Sequence, residues 1–396
     1  MKQKIGYFVP ITLGMLTAFG PFVTDFYLPL MPEMAGYFAT SPAMIAMSLT
    51  TSMMGLSLGQ IMIGPLSDKY GRKHLLVASM ALFALASVLC VLAPNIVVFN
   101  AMRFFQGLAG AGGVVLSKSI ATDMFTGKEL SDFMAILGAI NGIAPVLAPI
   151  VGGTMTQFTS WRGVFCLLLA IGIVLMVCSL RLRETLPPER RSDHNVLHAY
   201  GNLFRVFTNR MFTLPTLAMM MTFFTFFAYI SSSPFIFQQQ YGLSPFQFSL
   251  CFAVNALMIG LGAGLATRFR SQTKLLRTAA GNMVAWATLV AAAQVMHWSL
   301  WVLMPCYVGM LVSFGLMQPV TTALALDAER ANAGAASAIF GAAGFLAGAI
   351  VSPLVSMGDI MVSTSAVMLT GAVGCLLFSL ILIAQLKRLT QITKMF

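Results

Sequence analysis

Long apolar runs, separated by short polar connections, make up most of the chain. A run of about 20 mostly apolar residues is long enough to cross a bilayer as a helix. Twelve such runs predict an all-α integral membrane protein. The predicted spans are Ile5–Thr24, Ala43–Ile63, Leu75–Ala93, Val97–Ser119, Phe133–Met155, Trp161–Leu180, Phe212–Ser231, Phe246–Thr267, Leu275–Met296, Leu300–Thr322, Ser337–Met357 and Ile360–Ile383.

A polar stretch divides these spans into six and six. We therefore predict an N-terminal six-helix bundle at residues 1–181, a linker at 182–210 and a C-terminal six-helix bundle at 211–396. Within the linker, apolar side chains recur at helical spacing, which is typical of a short amphipathic helix on a membrane surface. Its predicted apolar positions are Val196, Leu197, Tyr200, Leu203, Phe204 and Phe207.

The composition narrows the class of protein further. Of 396 residues, 58% are hydrophobic and only 9% are charged. Because soluble domains are about a quarter charged, an ordinary soluble enzyme is excluded. Disorder is excluded as well, since 31 Phe and 29 Met supply more apolar surface than disordered chains carry.

The net charge of +11 has a topological explanation. The basic residues cluster between apolar runs, as they do in cytoplasmic loops, so we expect no nucleic-acid partner. With a cytoplasmic N-terminus, 20 of the 23 Lys and Arg fall on the cytoplasmic side, and only Arg103, Lys118 and Arg162 lie elsewhere. This asymmetry predicts that both termini are cytoplasmic.

The sequence gives no indication of enzyme chemistry. The six cysteines stand singly, the four histidines are scattered, and neither group has metal-ligand spacing. We therefore predict no enzyme activity, no metal site and no cofactor. An ATP-driven pump is excluded because the chain lacks a G-x-x-x-x-G-K-[ST] loop.

The loop between the second and third spans carries a conspicuous motif, Gly64-Pro-Leu-Ser-Asp68-Lys-Tyr-Gly71-Arg72-Lys73. Gly64 and Gly71 are predicted to permit the turn. Asp68 is predicted to face a helix N-terminus, while Arg72 and Lys73 hold helix ends or lipid phosphates. The segment resembles the G-x-L-x-D-R-x-G-R-[KR] motif of the major facilitator superfamily, with Lys69 in place of Arg.

The fourth span contains a charged residue, Arg103. An arginine within a membrane is costly and usually faces the bundle interior with a partner. The alternative is that its long side chain reaches the outer surface. Arg103 and Gln106 also match the R-x-x-Q-G-x-G motif of the same superfamily.

Asp25 is the predicted partner of Arg103, at a similar depth in the first span. Burial disfavours a charged carboxylate and a neighbouring arginine favours it, so such a group can exchange a proton when the balance changes. Glu33 is the second candidate proton site. Pro29 and Pro32 are expected to place Glu33 beyond the helix, at the rim.

Small residues and prolines alternate in the fifth span, at Gly142, Pro145, Pro149, Gly152 and Gly153. One interpretation is tight helix packing. The pattern also resembles the G-P-x-x-G-G motif of proton antiporters, with Ala148 in place of the first glycine.

Further segments resemble the Bcr/CflA group of drug:proton antiporters: Thr24–Pro29, Trp161-Arg162 and Glu184-Thr185-Leu186. The resemblance implies two pseudo-symmetric six-helix halves, alternating access and export of lipophilic drugs such as chloramphenicol or bicyclomycin. With no targeting extension evident, it also implies a bacterial inner membrane. The implied cavity lies between the halves, and its polar or aromatic candidates are Tyr27, Gln106, Asn141, Tyr229, Gln238, Asn255 and Gln318.

Alternatives stay open at this point. Each cavity candidate can instead form an interhelical hydrogen bond. The transporter can be a proton-coupled importer or exporter of a metabolite such as a sugar or amino acid, and a non-transporting membrane receptor is a third option. The expected partners are lipophilic drugs, protons and membrane lipid, with the protein a monomer.

Overall fold

The computed structural model describes residues 7–191, 200 and 205–393, and within these residues the chain is helical with no strands. A bent first segment precedes eleven long helices. The first segment comprises α1 (Phe8–Thr17), α2 (Phe19–Asp25) and α3 (Met31–Tyr37). The long helices are α4 (Pro42–Tyr70), α5 (Arg72–Val91), α6 (Ile96–Met124), α7 (Gly127–Met155), α8 (Trp161–Arg181), α9 (Arg210–Phe235), α10 (Pro245–Ala266), α11 (Gln272–Val295), α12 (Leu300–Ala328), α13 (Ala333–Leu354) and α14 (Ile360–Thr393).

Apolar length supports the membrane assignment. Ten of these helices are long and apolar enough to cross a bilayer, and the bent first segment qualifies when its parts are taken together. The remaining long helix, α6, has 29 residues, but Asn100, Arg103 and Gln106 make it more polar. Of the twelve predicted spans, ten and the bent first segment are therefore long and apolar enough within the described residues, and α6 is long enough but too polar to qualify.

The first span differs from the expected single helix. It bends by 42° between Thr17 and Phe19, and the α-helix then ends at Asp25. A short 3-10 turn, Leu28–Leu30, follows before helix resumes at Met31. Glu33 lies beyond the α-helix that ends at Asp25, but it is in the further short helix α3, because Pro29 and Pro32 occupy first-turn positions, which tolerate proline.

The turn between α4 and α5 is also shorter than expected. Gly64 lies inside α4, with open space where a β-carbon would be, so the prediction that it forms the turn is wrong. The turn is made by Gly71 alone, whose φ of 95° strains any residue with a β-carbon.

Two compact units make up the chain. Unit 1 comprises Met1–Gly201 with Leu243–Ala253, and unit 2 comprises Asn202–Gly242 with Val254–Phe396. In each unit, glycines let two helices approach each other closely at their backbones. In unit 1, a β-carbon at Gly107 of α6 would collide with the Ser52 carbonyl of α4, and in unit 2 one at Gly315 of α12 would collide with the Ile259 carbonyl of α10.

Most of the predicted amphipathic helix lies outside the described residues, including Val196, Leu197, Leu203 and Phe204. Among the predicted apolar positions, the structure describes Tyr200 and Phe207. The Tyr200 hydroxyl donates a hydrogen bond to the Met62 carbonyl at 3.0 Å.

Candidate functional site

Asp25 lies where the first span stops being helical. Its side chain is buried, with 3% of the residue exposed. The Thr24 hydroxyl lies 2.6 Å from Asp25 Oδ1 and is its hydrogen-bond partner. No ion pair of Asp25 occurs among the described residues. An uncompensated buried carboxylate is unstable as a charge, so this environment suits the protonated form.

Arg103 is fully buried, which excludes the alternative that it reaches the outer membrane surface. One guanidinium nitrogen donates to the Val23 backbone carbonyl at 2.6 Å, and the other donates to Gln106 Oε1 at 2.5 Å. The guanidinium also lies 4.4 Å from the centre of the Tyr27 ring, within cation–π range.

The predicted pairing of Arg103 with Asp25 is therefore wrong in this structure. The helix break supplies the reason. Because α2 ends at Asp25, the Val23 carbonyl needs a partner, and Arg103 donates to it. Arg103 thus stabilises the helix break through the backbone carbonyl of Val23, two residues before Asp25.

A buried polar network surrounds this arginine, and we call it the N-terminal hub. The Gln106 amide donates to Ser87 Oγ at 2.8 Å, and the Tyr27 hydroxyl lies 2.8 Å from Ser48 Oγ. Arg103 also donates to Ser52 Oγ at 3.2 Å. The hub therefore joins the first four spans, and its members are Tyr27, Ser48, Ser52, Ser87, Arg103 and Gln106.

Unit 2 contains a network in the equivalent spans, which we call the C-terminal hub. Asn255 Nδ2 donates to the Tyr229 hydroxyl at 2.9 Å, and Gln294 Nε2 donates to the Tyr307 hydroxyl at 2.7 Å. The two tyrosine rings lie 5.0 Å apart, and Ser365 Oγ lies 2.6 Å from Gln294 Oε1. Spans seven, eight, nine, ten and twelve thus meet in a hub without a charged member.

A third cluster, the Arg72 cluster, lies at the α4–α5 turn. Arg72 donates to Asp68 Oδ1 at 2.5 Å and to Asp123 Oδ2, at the end of α6, at 3.1 Å. The Glu184 carboxylate, from the segment after α8, accepts the backbone N–H groups of Arg72 at 2.9 Å and Lys73 at 3.2 Å. The turn is therefore tied to two other helix ends.

Glu184 has the role that sequence analysis gave to Asp68. It accepts the first N–H groups of α5, whereas Asp68 is half-exposed and pairs with Arg72. Although partial burial raises the pKa of the Glu184 carboxyl group, the backbone N–H donors, beginning with Leu186, outweigh it and lower that pKa below its ordinary value. A β-carbon on Gly71 would lie 2.5 Å from Glu184 Oε2, so glycine is needed here for space as well.

The fifth-span motif divides into packed and open positions. Gly152 allows α7 to meet the Phe26 carbonyl, directly after Asp25, and Gly153 faces Ser249 of α10. Pro145 and Pro149 lie inside the continuous helix α7. Gly142 has no neighbour within reach of a β-carbon, and Asn141 is exposed.

The other predicted site residues fall outside both hubs. Glu33 is exposed, and its carboxylate faces the backbone N–H of Trp161. Gln238 and Gln318 are partly buried. Their assignment to a substrate cavity stays a prediction, as does that of Asn141. No cluster of metal-ligating side chains occurs in the part of the chain that the structure describes.

Sequence reasoning missed several contributors: Ser52, Ser87, Asp123 and the Val23 carbonyl. Serine is common in spans, and a backbone carbonyl carries no sequence signal. Asp123 offered one signal, since it is an acidic residue at the end of an apolar run. Glu184 was noticed for its resemblance, but its contact with α5 spans more than 100 residues and is set by folding alone.

Comparison with known proteins identifies the family of this chain. The profile of the Major Facilitator Superfamily matches residues 13–353. The chain is 37% identical over 375 residues to an uncharacterized MFS-type transporter of Bacillus subtilis, covering 92% of this chain and 93% of the relative. It is 27% identical over 391 residues to a bicyclomycin resistance protein homolog of Haemophilus influenzae, covering 96% of each.

A shorter match, 27% identical over 280 residues, is to a chloramphenicol resistance protein of Pseudomonas aeruginosa, covering 70% of this chain and 65% of the relative. Among solved structures, a D-xylose-proton symporter aligns with a TM-score of 0.76 at 16% identity, covering 94% of this chain and 95% of the other. At that identity the likeness shows the fold alone.

Proposed function

Because this chain belongs to the Major Facilitator Superfamily, we propose that it is a proton-coupled efflux transporter that exports lipophilic drugs in exchange for protons. It acts as a monomer in a bacterial inner membrane, with both termini in the cytoplasm. The relatives named for bicyclomycin and chloramphenicol resistance support drugs as substrates. The observation that carries the proton coupling is a buried carboxyl group, Asp25, which has no ion pair with any described residue.

Asp25 is the proton site in this proposal. Its carboxyl group holds a proton while Thr24 is its hydrogen-bond partner, because desolvation disfavours the charged form. Losing that proton creates a negative charge two residues from a carbonyl that Arg103 holds. The guanidinium then gains a further, charged acceptor, and its Nε, which has no hydrogen-bond partner among the described residues, is the spare donor.

Transfer of Arg103 from the Val23 carbonyl toward Asp25 changes the helix break in the first span. A cationic drug favours the deprotonated Asp25 carboxylate by charge attraction. A neutral drug favours it by binding the conformation of the helix break in which Asp25 is deprotonated. Either route makes drug and proton binding mutually exclusive. Reciprocal coupling then lets inward proton flow drive outward drug flow.

The test uses inside-out vesicles with an acidified lumen, loaded with the wild type, Asp25→Asn or Glu33→Gln. Chloramphenicol, bicyclomycin, ethidium, sugars and amino acids are added singly, and drug-dependent release of lumenal protons is recorded. We expect release with drugs in the wild type, its loss in Asp25→Asn, and its retention in Glu33→Gln, the matched removal of an exposed acid on the same segment.

Three other outcomes would change or refute the proposal. Loss only in Glu33→Gln moves the proton site to Glu33. Release with a sugar or amino acid but no drug replaces efflux by metabolite transport. No response of the folded wild-type protein to any compound refutes proton-coupled transport of these classes.

A further inference from the structure

An apolar groove runs along unit 1 between α1 and α8, with a volume of about 240 Å³. Ile11 and Met15 line it from α1, and Ala170, Val174 and Cys178 line it from α8. The one hydroxyl in the lining, that of Thr12, is already donated to the Phe8 carbonyl at 2.8 Å. The groove therefore offers shape and apolar contact but no free hydroxyl, amide or charged group.

The groove lies at one end of both helices. Ile11 is in the first turn of α1, and Cys178 is in the last turn of α8. Since the helices are spans, this end of the groove is close to a membrane surface. Its outer lining is open, because Ile11 is 62% exposed and Val174 is 59% exposed.

A basic residue continues the same helix face. Positions 170, 174, 178 and 181 follow each other at spacings of four, four and three, so they form one stripe along α8. Arg181, the last residue of the helix, therefore stands about 4.5 Å beyond Cys178 along the axis. It is exposed and forms no ion pair within the described residues.

We propose that this site binds one anionic phospholipid, with an acyl chain in the groove and its phosphate on Arg181. The guanidinium matches a phosphate oxygen pair in geometry and charge. An apolar chain fits a groove with no free hydroxyl, amide or charged group. A net negative headgroup gains from Arg181, whereas a zwitterionic one already pairs its phosphate with its own cation. The proposal goes beyond drug efflux and requires neither drug nor proton.

The headgroup contact is tested by native mass spectrometry of the detergent-purified full chain. Phosphatidylglycerol and phosphatidylcholine with identical acyl chains are titrated separately, and the first bound lipid is quantified. We expect the wild type to prefer phosphatidylglycerol, and Arg181→Gln to reduce that preference about fivefold, the contribution of one arginine near a lipid surface. Arg183→Gln removes the same charge two residues later and leaves the preference unchanged.

The groove is tested by filling it. Ala170→Phe places a ring among the lining side chains and should weaken binding of the first lipid of both kinds. Val373→Phe, at an exposed position on α14, is the control and should leave it unchanged. Thermal unfolding of each variant in detergent verifies that its fold is kept.

Three results would overturn the proposal. One is equal affinity of the wild type for the two lipids. Another is equal loss in Arg181→Gln and Arg183→Gln, which would indicate a diffuse surface charge. The third is undiminished lipid binding in folded Ala170→Phe, which would leave the headgroup contact without a groove.

Discussion

The two hubs use the same places in the two units but different chemistry. In unit 1, the tyrosine of the first span lies beside Arg103 of the fourth span, and in unit 2 the tyrosine of the seventh span lies beside Tyr307 of the tenth. A charge is present in the N-terminal hub and absent from the C-terminal hub. The comparison teaches that the shared geometry holds spans together, whereas the charge and the broken helix beside Asp25 are confined to unit 1.

The same contrast recurs at the start of α5 and α11, the third and ninth spans. The first N–H groups of α5 are accepted by the Glu184 carboxylate, while the Lys274 N–H of α11 is accepted by the Ser271 hydroxyl at 3.4 Å. A charged acceptor in one unit again corresponds to a neutral one in the other. The variants below test whether the charged groups of unit 1 contribute more to stability and transport than their neutral counterparts in unit 2.

The largest effect is expected from Arg103→Gln. The variant removes three hydrogen bonds from a charged donor, to the Val23 carbonyl, to Gln106 and to Ser52. At about 1.5–3 kcal/mol for each such bond, the free energy of unfolding should fall by roughly 3 kcal/mol or more. Drug-dependent proton release should fall more than about tenfold. Thermal unfolding in detergent and the vesicle assay measure the two effects.

Arg103→Lys is the companion variant, because it keeps the charge but loses the forked guanidinium that reaches several acceptors at once. If proton coupling depends on stabilising the helix break, Arg103→Lys should reduce drug-dependent proton release nearly as much as Arg103→Gln. Full activity of Arg103→Lys would show that the charge alone matters, and the role assigned to the Val23 carbonyl would then be wrong.

Backbone packing should not distinguish the two units. A β-carbon at Gly107 collides with the Ser52 carbonyl, and one at Gly315 collides with the Ile259 carbonyl. We expect Gly107→Ala and Gly315→Ala to lower the free energy of unfolding by similar amounts, about 1–3 kcal/mol. Gly138→Ala, where a β-carbon meets open space, should raise it slightly. Calorimetric unfolding of the three variants measures these changes, and a large difference between the first two contradicts shared packing.

The Arg72 cluster should respond to acid in a way that its counterpart does not. Because the pKa of Glu184 in the folded protein is below its ordinary value of 4.5, its stabilisation is present above about pH 4.5 and is lost as pH falls through the folded-state value. Replacing a helix cap costs about 1 kcal/mol. Glu184→Gln should therefore destabilise the protein at pH 7 and lose this disadvantage in acid.

Ser271→Ala supplies the neutral comparison. It removes the acceptor of the Lys274 N–H at the start of α11, and its cost should be the same at pH 7 and in acid well below pH 4.5. Tm measured across that range in detergent separates the two variants. An acid-independent effect of Glu184→Gln would mean that the carboxylate is not the charged cap described here.

The sequence predicted the general architecture because membrane spans and loop charges are local signals. It also singled out Asp25, Arg103 and Gln106, since polar residues in apolar runs are conspicuous. It did not predict which of them touch. Arg103 donates to a backbone carbonyl freed by a helix break, and a break between Asp25 and Met31 depends on how α7 packs against Phe26 through Gly152. Contacts of that kind are set by tertiary packing.

Among these variants, a substitution in the C-terminal hub should lower the free energy of unfolding least. Tyr307→Phe removes the hydroxyl that accepts from Gln294 but keeps the ring beside Tyr229. Interhelical hydrogen bonds in membranes average about 0.6 kcal/mol, so the free energy of unfolding should fall by that amount. Drug-dependent proton release should keep its wild-type pH profile, because the hub has no charge to exchange with Asp25. A shifted profile in a stably folded Tyr307→Phe would place part of the proton coupling in unit 2, and the contrast between a charged, proton-coupled unit and a neutral one would then fail.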